Sequence, residues 1–182
     1  MKTLIFLSIL FITSGQLSAQ SKSINKSESQ SDSVKTTLTK ENSPIRSLSM
    51  QEYTAYQKGE EMGLAKPATL NNYPAPASVL SFEKELKLSV TQKTQLKAAV
   101  DAIDFKAREM GRFILQHEKM LNELFANGKI NEGSIIYYSN QIGLYQGELR
   151  NAHLQSCLKA RRILTPDQLK KYSRMNGDVK KS

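Results

Sequence analysis

Cysteine occurs once among the 182 residues, histidine twice and tryptophan not at all. A single Cys cannot build a disulfide-stapled scaffold or a Cys-rich zinc module. Two His residues leave little room for a multi-His catalytic metal centre. The prolines are Pro44, Pro67, Pro74, Pro76 and Pro166, and none falls within residues 77–165. An interior proline deletes a backbone donor and clashes with the preceding turn, so a proline-free run admits long helices. The expected fold class is therefore all-α, with a mostly helical C-terminal domain. There is also no Ser/His/Asp order, no P-loop and no glycine fingerprint, so an enzyme is not expected.

The mainly apolar run near the start, residues 4–13, is too short to span a bilayer of about 30 Å. With Lys2 before it and Leu17-Ser18-Ala19 after it, the segment 1–19 reads as a secretory signal peptide that leaves Gln20 as the mature N-terminus. The chain is then extracytoplasmic, and periplasmic in a bacterium. Residues 20–48 are rich in Ser, Lys, Glu and Asn and poor in large apolar side chains, which predicts a disordered arm.

Residues 49–80 read as a short helix and a connector. Ser49 and Glu52 stand at capping-box spacing, and the predicted helix runs over 49–62, closed by Gly59 and Gly63. From Leu64 to Pro76 the prolines and asparagines favour extended and turn conformations. The helical domain proper spans 81–176, with 177–182 as a tail. Within it, residues 91–125 carry a 4-3 apolar stripe through Leu96, Val100, Ile103, Met110, Ile114 and Leu121, the mark of a long amphipathic helix. Asn127-Gly128 breaks it. A second long helix covers 131–164, with Gly143 and Gly147 four apart, a spacing that lets a neighbouring helix approach. A third starts at Thr165-Pro166-Asp167-Gln168, a capping box with Pro in the first turn, and is expected to end near Met175. Two long antiparallel helices form a hairpin with one broad apolar face left over. Either the short helices or a second copy of the chain must cover it, and a homodimer is expected.

His153 and Cys157 are four apart and share a helix face. An imidazole and a thiolate on adjacent turns are ligands for Zn, Cu or Ni. Counting from the hairpin turn, His153 opposes about residue 103, which brings Asp101 and Asp104 forward as further ligands. The alternative is a half-buried His and a small apolar thiol in a helix interface, and an intermolecular disulfide through Cys157 is a third reading. His117 lies on the apolar stripe as either a hydrogen-bonded core residue or a pH-sensitive packing switch.

The formal net charge is +9, and residues 81–176 hold sixteen Lys and Arg against ten Asp and Glu. Lys106, Arg108, Arg112, Lys119, Arg150, Lys159, Arg161 and Arg162 all fall on the long helices. A basic, partly apolar cradle attracts acidic unfolded clients, while the plainer reading is a solvated face. Nucleic acid is not an expected partner, because the chain is exported and carries no reading motif.

Leu164-Thr165-Pro166-Asp167-Gln168 resembles the LTxxQ motif of the Spy/CpxP family, with Leu164, Thr165 and Gln168 as the motif residues. Ahead of the first long helix a degenerate copy is expected at Val90-Thr91, with Thr94 in the place of Gln. The run Gly59-Glu60-Glu61-Met62-Gly63-Leu64-Ala65-Lys66 and the run Leu70-Asn71-Asn72-Tyr73-Pro74-Ala75-Pro76 are similar to segments of the family's periplasmic heavy-metal sensors. Cys157 stands where those relatives often carry a second His, and Glu118 aligns with an acid common among them. The resemblance implies a cradle-shaped helical dimer and work in envelope stress. That work would be ATP-independent chaperoning of unfolded envelope proteins, metal sensing or resistance through His153 and Cys157, or partnership with an inner-membrane signalling protein.

Overall fold

The computed structural model describes residues 42–179, and the expected signal peptide and most of the Ser-rich arm lie outside the described residues. Among them run six helices and no strand: α1 (Met50–Lys58), α2 (Lys66–Thr69), α3 (Pro76–Ser81), α4 (Val90–Ala126), α5 (Glu132–Ile163) and α6 (Pro166–Val179). The all-α hairpin expected from the sequence is what forms. The 37 residues of α4 make a rod of about 55 Å at 1.5 Å per residue.

The turn between the long helices follows from Asn127-Gly128. Gly128 takes φ 64°, and its N–H donates to the Phe125 carbonyl at 3.2 Å while the Lys129 N–H donates to the Leu124 carbonyl at 2.9 Å. These two bonds satisfy carbonyls that the helix end leaves open. Asn131 Oδ1 then accepts from the Ser134 N–H at 2.9 Å and starts α5.

Ser89, two residues before the expected Thr91, caps α4. Its hydroxyl accepts from the Gln92 N–H at 3.1 Å, and its own N–H donates to Gln92 Oε1 at 3.0 Å. Thr165 and Gln168 repeat this arrangement at α6, at 3.3 and 3.0 Å. The segment that matches Leu164-Thr165-Pro166-Asp167-Gln168 in its capping bonds is therefore Leu88-Ser89-Val90-Thr91-Gln92, two residues before the expected Val90-Thr91 and Thr94. Ser replaces Thr at the cap, where either hydroxyl serves.

Four further expectations are corrected. The first short helix stops at Lys58 rather than 62, because Gly59 adopts the left-handed conformation (φ 70°) and ends it. The connector, expected as extended and turn backbone, carries the short helix α2 and leads into α3, with Pro67 and Pro76 each in a first helical turn. The third helix continues through Gly177 to Val179. In the arm, residues 42–48 are anchored: Ile45 is buried, and Ser47 Oγ donates to a Glu118 carboxylate oxygen at 3.2 Å.

Two apolar clusters hold the domain. One gathers Val79, Leu88, Leu96, Leu164 and Tyr172 where the hairpin ends meet α3 and α6. The other joins Met110 and Ile114 of α4 to Leu149 of α5, with Tyr56 of α1 against them. Each fully buried side chain of this size stabilises by about 1.5–3 kcal/mol. The crossing of α1 over α4 needs Gly111, because a Cβ there would lie 1.9 Å from the Tyr56 carbonyl oxygen.

Candidate functional site

The turn after α1, the start of α3, and the facing sides of α4 and α5 line a half-open cavity of about 340 Å3. Its wall includes His153 and Cys157 from α5, Asp104 from α4, and Glu60 and Glu61 from the turn. His153 is 8% exposed and Cys157 1% exposed. Nothing satisfies His153 Nε2, a buried nitrogen with no hydrogen-bond partner. Such a group costs about 1–3 kcal/mol. Burial pushes the His153 imidazole below its usual value, and the Glu61 and Asp104 carboxylates pull it back up. Burial also pushes the Cys157 thiol up, a bond with Ser156 opposes this, and Glu61 adds to it. The pair therefore rests as a neutral imidazole and a thiol.

The residues expected to join this pair part company. Asp104 lines the cavity and also borders an outward hollow with Asp101, Phe105, Arg108 and Arg112, whereas Asp101 lines that hollow and not the cavity. Glu118 holds Ser47 instead. Among the described residues, no three His, Cys, Asp or Glu side chains stand close enough together to hold a metal ion. Four-ligand zinc coordination thus does not fit the side chains as they are arranged. Glu61 had no local signal in the sequence: it follows a helix end beside a linker, and only the path of the 59–65 turn carries it to His153.

Between α4 and α5 lies a second feature, lined by those two helices alone. Ala99, Ala102, Ile103 and Ala152 floor a hollow of about 220 Å3, rimmed by Lys106 and Lys159. It shares Lys159 with an adjoining hollow of about 510 Å3 that Ala98, Arg162 and Ile163 line. The small side chains keep the groove open. Lys106 is paired with Glu109 at 3.2 Å. The eight basic residues do not form one patch. Lys106, Lys159 and Arg162 border the groove, while Arg108 and Arg112 line the outward hollow of α4. Arg112 also lies over the Phe113 ring at 4.7 Å. Lys119 pairs with Glu123 at 3.8 Å, and Arg150 is exposed on α5. Arg161 is tied into the connector, donating to the Asn72 carbonyl at 2.8 Å and lying over the Tyr73 ring at 4.5 Å.

His117 sits among aromatic rings toward the turn, 5.4 Å from Tyr145 and 6.0 Å from Tyr138 between centroids. Its Nδ1 donates to the Phe113 carbonyl at 2.7 Å.

No protein-family model matches the chain, no curated protein matches it, and no solved structure matches it.

Proposed function

We propose that this chain is a periplasmic binding module of the Spy/CpxP kind, an ATP-independent holder of unfolded, acidic envelope proteins. The observation that carries this reading is the alanine-floored groove between α4 and α5, bordered by Lys106, Lys159 and Arg162. An apolar floor takes apolar client side chains, and the cationic border attracts acidic ones at long range without locking a geometry. Exposed apolar residues near the hairpin turn, Phe125, Ile136 and Tyr137, suit contact with another chain or with a second copy. The paired motif, Leu88 to Gln92 and Leu164 to Gln168, supports the family reading. The role is one of binding, with no chemistry performed on the client. The test is suppression of aggregation of a denatured acidic protein at low and high salt. Protection should be strong at low salt and fade as salt screens the rim; absence of protection at both sinks the reading.

A second reading is metal binding in the envelope, favoured by the unpartnered His153 Nε2 beside a buried Cys157. Calorimetric titration with Zn, Cu and Ni ions tests it. Equal binding by the wild type, His153→Ala and Cys157→Ser removes these residues from any site.

A further inference from the structure

Only two soft donors converge in the His153 cavity, and this shortage itself constrains the ion. We propose that His153 Nε2 and Cys157 Sγ together hold one monovalent soft cation, Cu(I), in two-coordinate form, in preference to the divalent ions. This rests on the metal-binding reading and sharpens it.

Three observations lead there. First, His153 is more than nine-tenths buried, with Nε2 lacking any partner, in a cavity that Cys157 also lines. A buried polar atom of this kind calls for a ligand. Second, the two side chains are one helical turn apart on α5 and face the same space, whereas no third His, Cys, Asp or Glu joins them among the described residues. Zinc in a structural site takes four protein ligands, and three in a catalytic one. Nickel and Cu(II) favour square-planar or tetragonal nitrogen and oxygen sets. Thiolate ligands select Cu(I) as well as zinc, and of the two it is Cu(I) that two donors satisfy. Third, Val100, Ile103, Pro76 and Ala77 give the wall an apolar part, while Glu60, Glu61 and Asp104 are its carboxylates. None of these carboxylates stands close enough to His153 and Cys157 to complete a three-donor set among the described residues, which leaves sulfur and imidazole nitrogen as the donors of the pair itself. Glu61 and Asp104 act from outside the coordination sphere. Their charge favours entry of a cation, while a Glu61 oxygen is already engaged by the Ala65 N–H.

Loading is a simple exchange. The Cys157 S–H bond breaks, its proton leaves to solvent, and an S–Cu bond forms. Nε2 contributes its lone pair, and no electron is transferred, so copper arrives and remains as Cu(I).

The experiment is anaerobic competition of the full chain against a chromogenic Cu(I) chelator, read together with the ultraviolet thiolate-to-copper band. One Cu(I) per chain is expected. Cys157→Ala and His153→Leu should each weaken it by more than about 100-fold, beyond the 10–100-fold typical of outer-sphere changes. Unaltered helical circular dichroism in both variants, and the retained Cu(I) affinity of Glu61→Gln and Asp104→Asn, separate ligation from folding. Three results overturn the proposal. Cu(I) affinity unchanged in Cys157→Ala would do so, and the metal would then lie elsewhere. Tighter 1:1 binding of Zn or Ni ions, lost on removing Glu61 or Asp104 as well as His153, would leave the metal reading standing with a different ion. No metal bound at all would remove both.

Discussion

The side-chain amides of Gln92 and Gln168 hydrogen-bond each other in both directions, Gln92 Nε2 to Gln168 Oε1 at 2.8 Å and Gln168 Nε2 to Gln92 Oε1 at 3.1 Å. Each also reaches across to the other segment's backbone, Gln92 to the Ile163 carbonyl at 2.9 Å and Gln168 to the Leu86 carbonyl at 3.2 Å. Since each oxygen also accepts the N–H of its own helix cap, two helix starts 76 residues apart are locked as one unit. Glutamine is needed at both positions because an amide both donates and accepts, and a carboxylate would only accept.

Replacing either partner should expose this coupling. Gln92→Ala or Gln168→Ala is expected to lower stability by about 1–3 kcal/mol through lost caps and unmet carbonyls. The double variant should cost less than the sum, with an interaction of about 1 kcal/mol or more. Urea unfolding of the four proteins measures it. Strict additivity would show that the two helix starts are independent.

The glycines of the hairpin should answer substitution with opposite signs. A Cβ on Gly111 meets the Tyr56 backbone, whereas at Gly147 it meets nothing within 4 Å. Gly147→Ala should stabilise by about 0.5–1 kcal/mol, the ordinary helix gain. At Gly111 the overpacking cost of about 1–3 kcal/mol opposes that gain, and α1 must lift. Hydrogen exchange along residues 50–58 should accelerate in Gly111→Ala and stay unchanged in Gly147→Ala.

Much of this architecture was legible because its causes are local. The 4-3 stripe and Asn127-Gly128 put α4 and α5 within one residue of their observed ends, at Val90–Ala126 and Glu132–Ile163. The expected degenerate copy at Val90-Thr91 stands two residues past Ser89, the cap of α4. Yet Leu88, Ser89 and Gln92 already had the spacing of Leu164, Thr165 and Gln168. The short α2 and α3 carry no period of their own, and only Pro67 and Pro76 in their first turns signalled them. At the candidate site, His153 and Cys157 were legible as a same-face pair, and the count from the turn reached Asp104. Glu61 was not, because its approach depends on the fold of the 59–65 turn, where Met62 and Gly63 both take positive φ. Nor did charge on a helix reveal that Arg161 is held by the connector while its neighbour Arg162 borders the groove.

That difference between neighbours separates structural from client-binding arginines. Arg161→Ala removes a bond to a carbonyl and a cation–π contact, so stability should fall by about 1–2 kcal/mol with protection of an acidic client unchanged. Arg162→Glu and Lys159→Glu should leave stability within about 0.5 kcal/mol and reduce protection at low salt. Equal loss of protection in all three would mean that net charge alone, and not the groove, attracts the client.

The buried imidazole of His153 gives the metal-free protein a defined acid sensitivity. Burial holds its folded value below the usual 6.5, with Glu61 and Asp104 opposing only in part. The unfolded chain therefore takes up a proton near pH 6.5 that the folded chain resists. The stability contributed by the neutral form is complete above that pH and drains away as pH falls toward the lower, folded value. In chelator-treated buffer, stability should begin to decline as pH falls through 6.5, the ordinary value, and go on declining below it. His153→Leu fills the same space without an unpartnered nitrogen. It should flatten that decline and leave the protein at least as stable at neutral pH, since removing an unsatisfied buried polar group relieves its desolvation cost. A profile of equal slope in wild type and His153→Leu would assign the acid sensitivity to other groups and show that the imidazole is solvated when folded.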